Sequence, residues 1–331
     1  MVTIEMIAET AGVSKMTVSR ALRGLKGISE QKRAQVMDIA DSLGYRPNPL
    51  ISAHMASLRS QRTLSETVNI AFLTDFEIGL RTKAPDYILQ FYRSAEAQAK
   101  KHGFTLHAIC RGGGNGSSTV LSRILNARGV EGVLLAGLQG VHLDLDIDWA
   151  KVAVVRIGHA PAMRHAFHQI ASHKIHGIRL ALDHLTQCGH ERIGLCLTPT
   201  TNARTDQAYA SGFFGHRFSS GSVGWERAVH INDSSESDRY FEWLRGGDYS
   251  AVLLHGPELI EMHRTTCNAN NLRIMEFDLS GLCVSKDAPG LVHDFKRIAE
   301  TATDMLISEI LLNNRGIPDS PKTVLVEDHI Q

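Results

Sequence analysis

From Thr67 to Asp278 the chain repeats one pattern, a short apolar run followed by a longer amphipathic stretch. VNIAFL (68–73), FTLHAIC (104–110), VEGVLLAG (130–137) and VAVVRIG (152–158) read as strands, with helices predicted near 85–102 and 117–128. Runs that are apolar on both sides of the pleat need cover on both faces, which is the parallel β-α-β arrangement. The pattern restarts after a polar, His-rich passage. A helix near 174–187 leads to RIGLCL (192–197), a helix near 205–217, VHI (229–231), a helix near 235–245, AVLLH (251–255) and RIMEFD (273–278). Two successive doubly wound units predict two lobes, with a ligand cleft facing the carboxyl ends of their strands. With 331 residues, 43% of them hydrophobic, the chain can bury both cores and a further small unit.

That further unit is the N-terminal head. In TIEMIAETAGVSKMTVSRAL, Thr3 is placed to cap a helix with Ile4, Ile7, Ala8 and Ala11 inward. Gly12 supplies the turn, and Ser14 caps a second helix running to about Leu22. SEQKRAQVMDIADSLG adds a third helix, with Ser29 as cap, Gly44 as stop, and Ala34, Val36, Met37, Ile39, Ala40 and Leu43 as its expected inner face. A tight first turn followed by a basic, hydroxyl-rich second helix is the helix-turn-helix pattern, whose second helix enters the DNA major groove.

Charge agrees with this division. The net charge is zero, but residues 1–62 carry nine Lys or Arg against five acids, which leaves the rest acidic. A basic head on an acidic body suits a head that touches an anionic polymer.

The stretch VTIEMIAETAGVSKMTVSRALRG…ISEQKRAQVMDIADSLGYRPN resembles the head of the LacI/GalR family of bacterial transcriptional regulators, almost without a break over residues 2–48. ILNARGVEGVLLAG, GIRLALDHLTQCGHERIGL, Gly212-Phe213 and IMEFD resemble the family's core more loosely. The resemblance implies an all-α helix-turn-helix head plus an α/β core of two doubly wound parallel-sheet lobes, similar to periplasmic binding proteins. The expected boundaries are 1–46 for the head, 47–62 for a hinge helix and linker, and 63–331 for the core. Lobe 1 is expected at about 66–160 plus 291–319 and lobe 2 at about 161–290 plus 320–331, with crossovers near 159–163, 288–293 and 318–322.

By position, the resemblance makes Lys15, Met16 and Arg20 base-edge readers. It makes Thr3, Ser14, Thr17, Ser19, Arg23 and Ser29 contacts to phosphates or neighbouring bases. Arg and Lys can donate to guanine, while Met16 can make apolar contact with a thymine methyl. In the hinge PNPLISAHMASLRS, it implies minor-groove contacts by Asn48, Leu50, His54 and Met55, with His54 where the family has its wedge leucine. In the cleft it makes Asp278 an effector ligand, with Tyr209 at a usual Arg position and His293 at a crossover as further contacts. Gly256 replaces a usual Asn, and His173-Lys174 replaces a usual Asp-Asn. The implied function is a homodimeric DNA-binding regulator, a repressor of a carbohydrate-related operon, that reads a near-palindromic operator and responds to a small-molecule effector such as a sugar.

Other features point elsewhere less well. His159, His165, His168, His173 and His176 cluster in HAPAMRHAFHQIASHKIH without Cys or acid at a ligand spacing, so this stretch reads as a polar connection and not a metal site. RGGGNGSS (111–118) lacks the Lys of a phosphate loop. No catalytic motif appears, so neither an enzyme nor a cofactor is expected. The five cysteines form no Cys-x-x-Cys pair, and MVTIEMIAET has no signal-peptide pattern, so a cytoplasmic protein is expected. The alternatives are a cytoplasmic sugar-binding protein with an incidental head and an α/β enzyme fused to a DNA-binding head.

Overall fold

The computed structural model describes residues 4–22, 28–45, 68–79, 84–111, 118–145, 147–159, 162–221, 227–233, 235–281 and 289–331. The chain divides into two compact units, Met1–Leu64 and Ser65–Gln331. Thr3, Arg23, Asn48, Leu50, His54 and Met55, and with them the expected hinge helix, lie outside the described residues.

In the first unit α1 (Ile4–Ala11), α2 (Lys15–Leu22) and α3 (Glu30–Ser42) pack around Ile7, Ala8, Ala11, Val18, Ala21, Val36 and Ala40. Gly12 turns the chain between α1 and α2 at φ +61°, where any side chain would be strained. Ser14 Oγ accepts from Thr17 N at 3.1 Å and Ser29 Oγ from Lys32 N at 3.4 Å, so both hydroxyls cap their helices. Most of this core is alanine. Its larger side chains, Ile7, Val18 and Val36, therefore carry most of the packing, each contributing about 1.5–3 kcal/mol. The expected inner face of α3 was too wide. Val36 and Ala40, one turn apart, are buried, whereas Ala34 is exposed and Met37 is 40% exposed, because α1 and α2 cover a single stripe of the helix.

The second unit opens with β1 (Val68–Thr74), α4 (Asp86–Lys101), β2 (Phe104–Cys110), α5 (Ser118–Ala127) and β3 (Val130–Leu135). It continues through β4 (His142–Leu143), β5 (Ala153–Ile157), β6 (Ala162–Met163) and β7 (His168–Ser172). Next come α6 (Lys174–Gln187), β8 (Ile193–Leu197), α7 (Pro199–Arg204), α8 (Ala208–Ser219), β9 (Val229–Ile231) and α9 (Ser237–Gly247). The remainder is β10 (Ala251–Leu254), α10 (Pro257–Ala269), β11 (Met275–Asp278), β12 (Leu291–Val292), α11 (Phe295–Leu311), β13 (Thr323–Val326) and β14 (His329–Ile330).

Two large parallel sheets result, one in the order β13-β7-β5-β3-β1-β2 and one in the order β11-β10-β8-β9, beside the short pairs β4-β6 and β12-β14. In the first, Ile70, Phe72, Leu134, Val155 and Ile170 face α4 and α11, while Ala71, Leu73, Val133 and Val154 face the side covered by α5. Three of the apolar runs read from the sequence, those of β1, β3 and β5, are therefore sheet interior, while FTLHAIC forms the edge strand β2 and is only half-buried. In the second lobe Gly212 lets α8 approach α6, since a Cβ there would lie 2.3 Å from Ile178 Cγ2.

Three expectations need correction. Residues 168–172, read as part of a polar connection, form β7 between β5 and β13. Two of its polar side chains find backbone partners from distant parts of the chain: His168 Nδ1 accepts from Lys322 N at 2.9 Å, and Gln169 Nε2 donates to Gly158 O at 3.2 Å. Because β7 and β13 both belong to the first sheet, the first and third crossovers fall after Ser172 and Val326, later than expected. The His-rich passage is likewise a strand, a cap and a helix start, with His173 Nδ1 accepting from His176 N at 3.2 Å.

Candidate functional site

On the head, the second helix presents a polar face. Met16 is 66% exposed, and Arg20 stands one turn further along the same side. Ser14, Met16, Thr17, Arg20 and Ser29 border one concavity of about 420 Å³, so the cap of α3 and the face of α2 form a single surface. Ser19 is half-buried, and Lys15 is exposed on a neighbouring side, where its ammonium pairs with Glu5. Both partners of that pair are open to solvent, so opening it costs little. Lys32 also borders the concavity and was missed by sequence reasoning. Its signal was a cation in the first turn of α3, the end of a helix that favours anions.

The core places a second cluster at the carboxyl ends of both sheets, immediately beyond β1 (Asp75), β2 (Arg111), β5 (His159), β7 (Lys174), β10 (His255) and at the end of β11 (Asp278). At its centre lies a buried chain. Lys174 Nζ is 2.8 Å from His293 Nε2, and His293 Nδ1 is 2.8 Å from Asp328 Oδ1. An ammonium has no lone pair to accept with, so Nε2 is the acceptor and the imidazole proton sits on Nδ1, donated to Asp328. Burial and the nearby Lys174 charge lower the His293 pKa, which keeps the ring neutral and able to accept. Gly281, at φ +73°, leaves room for that ring, since a Cβ there would lie 2.1 Å from His293 Cδ2.

Tyr209, Asp278 and His293 come together here, with roles different from those expected. Tyr209 is fully buried, its hydroxyl donating to Leu279 O at 2.9 Å, with Lys174 Nζ 5.1 Å from its ring centroid and the His255 ring at 5.4 Å. It therefore has no open aromatic face for a sugar ring; it supports Lys174. Asp278 accepts from Ser280 N at 2.7 Å and from Ser280 Oγ at 2.9 Å, so its carboxylate holds the loop after β11. Lys174, Asp328, His159, His255 and Arg204 were not assigned from the sequence as site residues. Burial first, then the Lys174 charge, brings His159 down to about 4 and His255 down to about 3. Burial lowers Lys174 itself to about 8, against the raising effect of Asp328. Arg204 reaches from α7 to the first lobe, donating to Gly140 O at 3.4 Å and to His159 O at 3.2 Å.

Residues 3–48 match the family described as bacterial regulatory proteins, lacI family. The HTH-type transcriptional regulator TreR of Escherichia coli (strain K12) is 24% identical over 224 residues, 65% of this chain and 64% of that protein. The transcriptional regulator CelR in complex with cellobiose has a similar fold, with TM-score 0.61 and 21% identity over 100% of this chain and 98% of that chain. The lac repressor dimer bound to operator and the anti-inducer ONPF gives TM-score 0.58 and 18% identity over 99% and 97%. The chain spans about half the length of the curated relatives it matches.

Proposed function

We propose that this chain, which belongs to the lacI family of bacterial regulatory proteins, is a DNA-binding transcriptional regulator of the cytoplasm, a repressor controlled by a small molecule in its core cleft. The observation that carries this reading is the surface on which Met16 and Arg20 of α2 stand beside Ser14, Thr17, Ser29 and Lys32. Exposed donors and one apolar tip can read base edges, while capped helix starts and Lys32 hold phosphates on either side. Lys15 joins them once it leaves Glu5.

In this reading two copies bind a near-palindromic operator, each head taking one half-site. The operator-bound lac repressor dimer and the cellobiose complex of CelR support operator and effector as the two ligands, and a carbohydrate-related operon as the target. Coupling between them requires that the effector favour one arrangement of the two lobes, so that cleft and operator influence each other reciprocally. No helix among the described residues is long and apolar enough to cross a membrane.

The test is footprinting of the full chain on DNA selected from a random pool. A protected site with two-fold sequence symmetry is expected. Failure to enrich any sequence, with binding equal on all DNA, would overturn the reading.

A further inference from the structure

The carboxylates of the cleft are engaged or covered, whereas its charged donors are not fully used. Asp75 accepts from Arg111 Nε at 2.6 Å, from Arg111 Nη2 at 2.8 Å and from Gln139 N at 2.7 Å. Asp278 is held by Ser280. Asp328 accepts from His293 through Oδ1, and its Oδ2, which has no hydrogen-bond partner among the described residues, is buried against Gly177, where an added Cβ would come within 2.7 Å. A ligand hydroxyl therefore finds these carboxylates engaged or covered. Recognition of a neutral polyol needs acceptors as well as donors, because every hydroxyl brings a proton that must be placed.

The donors are in the opposite condition. Lys174 is 7% exposed, and its ammonium meets the neutral ring of His293, not a carboxylate, among the described residues. One of its three protons is thereby used and two remain. Lys174 also begins α6, which has no acid in its first turn, so the positive end of the helix adds to the ammonium. Arg204, whose guanidinium donates to the carbonyls of Gly140 and His159, forms no ion pair among the described residues. A buried cation without a contacting anion is costly, and a ligand that supplies the anion recovers that cost on binding.

We propose that the effector of this core is an oxyanion, a hydroxylated organic acid or phosphate ester whose charged oxygens are held by Lys174, with Arg204 as a second donor in the same cleft. This rests on reading the core as an effector-binding unit, and it replaces a neutral sugar with an acidic one.

The test uses calorimetric titration of the full chain with glucose, gluconate, glucose 6-phosphate and inorganic phosphate at constant ionic strength. Wild type is compared with Lys174→Met and Lys174→Gln. At least one anion is expected to bind wild type ten or more times tighter than glucose does, and to lose at least tenfold in both variants. Gluconate against glucose 6-phosphate separates carboxylate from phosphate. The proposal is overturned if glucose binds as tightly as the anions, if no anion binds wild type, or if anion affinity is unchanged in the variant that retains the wild-type circular dichroism spectrum. Footprinting on the same preparations keeps the outcomes apart, since a protected operator with a failed anion arm leaves the regulator reading standing.

Discussion

Replacing Lys174 by Met should stabilise the core. Burial lowers the ammonium's pKa from the usual 10.5 to about 8. At about 1.4 kcal/mol per pH unit, holding the folded group charged at neutral pH costs about 3 kcal/mol relative to the unfolded chain. Methionine has a similar reach and packs against the Tyr209 ring, but it leaves His293 Nε2 without its donor, a loss of about 1–2 kcal/mol. The expected net gain is about 1–2 kcal/mol. At about 2–4 °C per kcal/mol for a unit of this size, the thermal midpoint rises by several degrees.

The pH dependence gives the sharper result. Below pH 8 both folded and unfolded lysine are charged, so the penalty is constant. Between pH 8 and 10.5 the folded amine loses its proton first, the unfolded state binds more protons, and wild-type stability rises with pH. The variant lacks that rise, so the two curves should meet at about pH 9 and wild type should be the more stable by about pH 10. Denaturation at pH 7, 9 and 10 measures this. A variant less stable than wild type at pH 7, with a gap that stays constant to pH 10, would refute the account of Lys174 as a costly buried charge.

The buried imidazoles act at the other end of the scale. His159 and His255 titrate at about 4 and about 3 when folded, below the usual 6.5, so they favour the folded state fully above pH 6.5, and that contribution fades as pH falls through those values. Urea unfolding between pH 7 and 4 should therefore be flatter for a His159→Asn, His255→Asn double variant than for wild type. Arg20→Ala should cost about 1–3 kcal/mol of operator discrimination, while Ser29→Ala should weaken operator and random DNA alike; quantitative gel shifts on both DNAs decide. Lys32→Ala should lower the slope of log affinity against log salt by about 1, and an unchanged slope would remove Lys32 from the DNA surface. Gly212→Ala should destabilise the core by about 1–3 kcal/mol, because its methyl meets Ile178 and the α6 backbone; an unchanged urea midpoint would contradict that packing.

The head was legible because its determinants are local. Ser14 and Thr17, or Ser29 and Lys32, meet within three residues of each other, so spacing alone predicts the caps. Strands such as AVLL (251–254) were legible for a related reason, since a run buried at every position has to be apolar throughout. Strand β7 was not, because its His168 and Gln169 find backbone partners that arrive from residues 322 and 158. Met37 misled in the opposite way, as an apolar residue that tertiary packing leaves outside. The cleft was half legible. Tyr209, Asp278 and His293 could be placed by position, but what they do depends on Lys174 and Asp328, which lie 119 and 35 residues from His293. Substitution of His173-Lys174 for the expected Asp-Asn was the visible sign that this site had changed.

Lys174, His293 and Asp328 stand at the three places where the backbone passes between the two sheets: after β7, before α11 and after β13. Three separate connections would let the lobes bend, twist and shear independently, each strand flexing in its own way. Linked side to side by two buried hydrogen bonds, they are coupled: moving one connection either carries its neighbour along or breaks a bond in the low-dielectric interior.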